Sequence, residues 1–140
     1  MTCAPHRWLV VWLCRRLERE GYTLVAVDGY NSTKAILAGI PAPLLVEGIR
    51  PDMLAVHGHS GKLAVGDAKS ANDLLNEHTI KQLRAMLKIR DKAGRMARVY
   101  LAFPRSALST AAKVVLRVGL KQALRVHLLP VPDLMLAEGP

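Results

Sequence analysis

Two acids and a lysine are the residues of this chain best placed to do chemistry. Asp52 stands in the stretch Ile49-Arg-Pro-Asp-Met-Leu-Ala-Val56, and Asp67 and Lys69 stand in Lys62-Leu-Ala-Val-Gly-Asp-Ala-Lys69. The two stretches read as the arms of a β-hairpin. Side chains alternate along a strand, so Asp67 and Lys69 leave one face of the second arm while Ala68 leaves the other. A two-residue loop at His59 and Ser60, flanked by Gly58 and Gly61, sets Asp52 directly opposite Asp67. Cross-strand partners hold their Cβ atoms about 5 Å apart, and a slip of one residue would turn Asp52 to the other face.

Facing carboxylates repel, and burial makes the repulsion worse. A hard cation such as Mg²⁺, for which Mn²⁺ substitutes, removes that penalty, because it prefers carboxylate oxygens, backbone carbonyls and retained waters. The Ala68 carbonyl is a further candidate ligand. Lys69, held beside the ion, can orient or help deprotonate an attacking water and offset charge building on phosphorus-bound oxygens. The chemistry this arrangement suits is hydrolysis of a phosphodiester by metal-activated water.

The rest of the composition is compatible with that chemistry. With 140 residues, 51% of them hydrophobic, the chain is expected to form one packed domain over residues 1–140, with a loosely held tail at about 130–140. A net charge of +9 favours a polyanionic partner, nucleic acid or acidic lipid. Cys3 and Cys14 form no spaced disulfide framework, which suits a reducing cytoplasm. The apolar run Trp8 to Cys14 is far shorter than a membrane span and is followed by Arg15, Arg16, Glu18, Arg19 and Glu20, so it reads as a buried helix face, with no membrane partner.

The elements that must position the hairpin follow from periodicity. Leu9, Leu13 and Leu17 predict a helix over residues 5–20, stopped by Gly21, and Tyr22 to Val27 a strand. Ser32 can cap a short helix through Ala38, and Leu44 to Glu47 leads into the hairpin. Asp73 can cap a long helix reaching Ala93, with Ile80, Leu83 and Leu87 inside and Lys81, Arg84, Lys88 and Lys92 as a basic ridge outside. Arg98 to Phe103 is a strand closed by Pro104. A helix starting at Ser106 or Ser109 buries Val114, Val115 and Val118 and exposes Lys113, Arg117 and Lys121, and Arg125 to Leu129 is a last strand. The expected class is α/β, a mixed central β-sheet flanked by helices, in the order α-β-(insertion)-β-β-α-β-α-β.

Pro51-Asp52 followed by Asp67-Ala68-Lys69 resembles the PD-(D/E)xK nuclease superfamily, which includes restriction endonucleases, archaeal Holliday junction resolvases and the nuclease modules of recombination helicases. The resemblance covers about residues 50–82 directly. It implies a restriction endonuclease-like fold, Asp52 and Asp67 as ligands of Mg²⁺, the Ala68 carbonyl as a third, and Lys69 as the catalytic lysine. It also implies a role for Gln82 on the following helix, DNA as the partner, and a homodimer. Many members carry a glutamate near the N-terminal end of the first helix. Here that end reads Pro5-His6-Arg7-Trp8, with no acid, so Glu18 and Glu47 are the candidates for a third carboxylate.

Other residues carry less. His57 and His59 read as turn residues, His78 as an exposed helix residue one turn before Gln82, and Trp8 and Trp12 as core or dimer contacts. Aromatics at 4% argue against stacking on single strands. Arg50, Lys81, Arg84 and Lys88 are candidates for contacts to the nucleic-acid backbone. The leading expectation is a metal-dependent DNA nuclease acting on branched or other non-standard DNA. A nuclease-fold subunit that binds nucleic acid without cutting, and a module that binds an acidic protein, are the alternatives.

Overall fold

The computed structural model describes residues 4–27 and 48–138. Helix α1 (Ala4–Arg19) forms because Leu9, Leu13 and Leu17 recur on one side, with Val10 and Cys14 beside them, and all five are buried. Trp8 and Trp12 are half-buried against the same cluster. Strand β1 (Tyr22–Val27) follows and pairs antiparallel with β2 (Met53–His57), which pairs antiparallel with β3 (Leu63–Ala68). Among the described residues the sheet has five strands in the order β1-β2-β3-β4-β5, and β4 (Arg98–Pro104) and β5 (Val126–Val131) continue it in parallel.

The β2–β3 register is the one the hairpin predicts: Met53 faces Gly66, Leu54 faces Val65 and Ala55 faces Ala64. The loop is longer than expected without moving its centre. His57 N–H donates to Lys62 O at 2.9 Å, and the connection is the four residues Gly58 to Gly61 rather than two. His57 Nδ1 accepts from the N–H groups of His59 and Ser60 at 3.2 and 3.3 Å, tying the turn to its own strand.

Helices cover both faces of this sheet. On one face Leu9, Leu13 and Leu17 pack on Met53, Ala64, Ala68 and Ala102. On the other, Val65, Val99, Leu101 and Phe103 pack on Leu83 and Met86 of α3 (Glu77–Met86) and on Ala111 and Val115 of α4 (Leu108–Leu116). Adjacent β3 residues serve opposite cores, which explains why the strand is apolar on both sides. Gly66 faces α1. A Cβ there would sit 2.7 Å from Leu13 Cδ2 and 3.0 Å from Met53 Cε, so the missing side chain sets how closely α1 lies on the strand that carries Asp67.

Four expectations are corrected. The long helix from Asp73 to Ala93 is broken: Ser70 caps α2 (Ala71–Leu74), Asn76 caps α3 by accepting from His78 N–H, and α3 ends at Met86. Beyond it the Asp91 carboxylate accepts from Ala93 and Arg95 N–H groups, giving the backbone a turn in place of helix, and Arg90 bridges Met96. Lys81 and Arg84 therefore lie on α3 while Lys88 and Lys92 lie past it, and the four-residue basic ridge does not form. The helix after β4 begins with a 3₁₀ turn (Arg105–Ala107) and stops at Leu116, which puts Lys121 on a separate short α5 (Leu120–Ala123).

Strand β5 runs through Pro130 to Val131. Proline is tolerated there because β5 is the terminal strand of the described sheet. The segment after it is also not a loose tail, since α6 (Asp133–Glu138) buries Leu136 among residues packed on α1, and Asp133 accepts from Ser106 N–H at 2.9 Å. The candidate Ser32–Ala38 helix lies outside the described residues. Among the described residues no helix is long and apolar enough to cross a membrane.

Replacing Gly66 with alanine is expected to lower unfolding stability by about 1–3 kcal/mol, the usual cost of overpacking. In a double-mutant cycle with Leu13→Ala the two changes should couple favourably, because the shortened side chain makes room for the new methyl. Urea unfolding of the four proteins measures both effects.

Candidate functional site

Asp67 lies within β3, its backbone paired with Leu101 of β4. Asp52 precedes β2 by one residue, and its N–H donates at 3.1 Å to the O of Gly66, the residue that already faces Met53. The regular pairing therefore ends at Met53 and Gly66 and does not itself set Asp52 opposite Asp67, but the two carboxyls lie close enough to act on each other's ionisation. Both acids are buried, 6% and 2% exposed respectively. Asp52 Oδ2 accepts the Ala68 N–H at 2.8 Å, a bond that ties one arm's carboxylate to the other arm's backbone. Lys69 N–H donates to Ala102 O at 2.9 Å, which extends the β3–β4 ladder and fixes the lysine beside Asp67.

The buried pair divides its charge. Burial, then the charge and hydrogen bond of Asp52, hold the Asp67 carboxyl well above the usual carboxylate range, against the opposing effect of Lys69. Burial would raise Asp52 too, but hydrogen bonds from His6, Asp67 and the Ala68 N–H, with the charge of His6, bring it below its ordinary value. The two neighbouring carboxyls are thus pushed apart in acidity, Asp67 holding its proton more tightly than Asp52. Lys69 Nζ lies 2.9 Å from Asp67 Oδ2, close enough to pair by charge but off the line of a hydrogen bond. That oxygen has no hydrogen-bond partner among the described residues.

His6 completes the cluster from the first turn of α1. Its Nε2 is 3.0 Å from the Ala68 carbonyl oxygen and 3.3 Å from Asp52 Oδ2. A carbonyl only accepts, so Nε2 carries a hydrogen in this state. Burial lowers the pKa of His6, and the bond and charge of Asp52 with the Ala68 carbonyl more than reverse this, leaving it raised. The signal for His6 was its place in the sequence, at the helix end where an acid was expected and none was found.

Of the other expected site residues, Gln82 is brought inside: it lies on α3, 7% exposed, and its Oε1 is buried without a hydrogen-bond partner among the described residues. An exposed helix glutamine would show neither property. Glu18 is exposed on α1, twelve residues beyond His6 and about 18 Å along the axis, and does not join the acids. Glu20 is engaged elsewhere, accepting from Tyr100 Oη and Arg16 Nε at 2.5 and 2.7 Å. Glu47 lies outside the described residues. Arg50, Lys81, Arg84 and Lys88 are exposed, and Arg84 Nη2 donates to Arg117 O at 3.0 Å. His59 and His78 are exposed, as expected of turn and helix-surface residues.

The donors fit a hard cation that keeps much of its water. Two neighbouring buried carboxylates, one with an oxygen that is ion-paired to Lys69 but accepts no hydrogen bond among the described residues, and a carbonyl beside them are the oxygen set Mg²⁺ and Mn²⁺ take. Among the described residues no group of three or more His, Cys, Asp and Glu side chains forms a closed metal cage, so waters and substrate would have to fill the remaining positions. The chain matches no family model, no curated protein and no solved structure.

Because the Asp67 pKa is raised, its proton contributes stability that is complete below the usual carboxylate range and lost as pH rises through the raised value. Metal-free protein is therefore expected to melt at progressively lower temperature as pH rises above the usual carboxylate range. Asp67→Asn should flatten that decline and, at the alkaline end, raise stability by about 1 kcal/mol, roughly 4 °C. Calorimetric melts in EDTA across this range provide the measurement.

Proposed function

We propose that this chain is a divalent-cation-dependent nuclease of the PD-(D/E)xK type that hydrolyses DNA phosphodiester bonds, with branched or other non-standard DNA as its substrate class. The restriction endonuclease-like fold, the homodimer and the cytoplasmic setting belong to the same proposal. The observation that carries it is a pair of buried, interacting carboxylates, Asp52 bonded to the Ala68 N–H of the neighbouring strand and Asp67 with Lys69 at 2.9 Å.

In this reading Asp52, Asp67 and the Ala68 carbonyl hold Mg²⁺ or Mn²⁺, which when bound supplies Lewis-acid charge to the phosphate and acidifies the water beside it. Lys69, steered by Asp67, sets its ammonium against the oxygens on which charge builds and keeps the nucleophile aligned. Gln82 offers its amide to the water or a phosphate oxygen, which gives its buried polar atoms the partners they lack among the described residues. Arg50, Lys81, Arg84 and Lys88 draw the polyanion in without reading its sequence.

His6 sets a condition on this chemistry. Its Nε2–H is spent on the two oxygens a cation would take, so that hydrogen must leave, or the ring must turn aside, before they are available. The same contact favours a second reading, a nuclease-fold subunit that binds nucleic acid without cutting it.

Protein with Mg²⁺ or Mn²⁺ is expected to cut a labelled duplex, flap or four-way junction, and Asp67→Asn or Lys69→Ala to reduce cutting by at least about 100-fold with the fold intact. Binding without cleavage at any pH, and no cation-linked rise in Tm, would establish the second reading. Cation affinity measured by calorimetry should strengthen from about pH 5.5 to 8, since His6 and Asp67 both bind protons more tightly than usual and a cation must displace them. A flat profile would remove both residues from the cation site.

A further inference from the structure

The opposite end of the sheet holds a second gathering of charge. There an open cleft of about 490 Å³ is lined by Lys62, Arg95, Met96, Arg98, Leu124 and Arg125. The cations arrive from separate elements: Lys62 just ahead of β3, Arg95 from the Asp91 turn, Arg98 at the start of β4, and Arg125 just ahead of β5. Leu63, which also lines the cleft, is four residues before Asp67 on β3, or about 13 Å along the strand. The cleft is therefore separate from the acid cluster.

Its positive charge is only partly neutralised, with two acids near four cations. The acids bonded or close to its cations are Asp91, which holds Arg95 Nε at 2.6 Å, and Glu20, 4.0 Å from Arg98 and already bonded to Tyr100 and Arg16. Two guanidiniums are held in place by neutral oxygens as well. Arg95 Nη2 donates to Ser60 O at 2.7 Å, and Arg125 donates to Gln122 Oε1 at 2.6 Å and Leu87 O at 3.2 Å. Lys62 makes no side-chain hydrogen bond or ion pair among the described residues. Like charges drawn together and partly fixed in place repel one another, and a bound anion relieves that repulsion. Guanidinium forks match phosphate oxygens bidentately.

Beside these cations stand large apolar side chains in water. Met96 is 49% and Leu124 79% exposed, and both line the cleft together with the buried Tyr22. A small inorganic anion would leave them uncovered, whereas a ligand with a phosphate and a flat apolar body covers both. We propose that this cleft is a second ligand site, binding nucleoside phosphates, either as a free nucleotide or as the end of a nucleic-acid strand. The proposal does not depend on the reading of the acid cluster, and it requires no divalent cation.

The test uses the full chain in EDTA with two probes, adenosine diphosphate and a 5′-phosphorylated hexathymidylate, titrated calorimetrically at moderate salt. Either probe should bind, and Lys62→Glu should weaken it at least tenfold, with Arg98→Gln acting in the same direction. Lys113→Glu, the same charge change on the exposed side of α4, should leave affinity within twofold, as should Asp67→Asn. Binding of the diphosphate identifies a free-nucleotide site, and binding of the oligonucleotide alone identifies a strand-end site. The proposal is overturned by failure of both probes to bind, by Lys62→Glu leaving affinity unchanged, or by Lys113→Glu weakening it equally. Thermal melts of each variant confirm that losses are not unfolding.

Discussion

Two carboxyl groups confined together inside a sheet are the constraint around which this molecule is arranged. Asp67 cannot be moved to solvent without breaking the β3 pairing that buries Val65, and Asp52 is tied to it through the Ala68 N–H. The protein answers with a raised proton affinity at Asp67, the Ala68 N–H and His6 on Asp52, and Lys69 alongside. Each device is drawn from a different part of the chain, and each depends on another packing decision. The Ala68 N–H is available because Asp52 continues the hairpin by one residue, and His6 arrives because α1 can lie close over Gly66.

A buried charge that is balanced only by neighbours is a poor source of stability but a sensitive one. The hairpin is held chiefly by its apolar partners, Met53 and Ala64 against α1 and Val65 against α3 and α4. That support lets the acid cluster remain electrostatically tense. It also confines the tension to the residue ahead of β2 and the end of β3, at the margin of the paired ladder.

The legible parts of this architecture were those written in local pattern. Period-two alternation and a symmetric Gly-His-Ser-Gly turn fixed which residues face each other across β2 and β3, because a one-residue slip would have exposed a core face. The Leu9, Leu13 and Leu17 stripe gave α1 for the same reason. The break after Leu74 was less visible, since Asn76 carries both helix-compatible spacing and a cap, and only the tertiary packing of Leu74 decides which prevails. The burial of Gln82 and the contacts of His6 were not written in local pattern. Whether a glutamine faces water depends on which side of α3 meets the sheet. The contact between His6 and Asp52 joins residues far apart in sequence, through a helix docking angle no periodicity encodes.

Asp67 and Asp52 also differ in how firmly their backbones are held. Asp67 sits within β3, paired with Leu101 on the β4 side, whereas Asp52 stands one residue outside β2 behind Pro51. One carboxylate is thus a fixed point of the scaffold and the other is mounted on its margin. In the proposed cation-binding reading, differences in ionic radius would fall on the marginal partner, whose small shifts leave β3 undisturbed. Discrimination by size would be correspondingly weak, and the cluster would tolerate a range of ions rather than measure one.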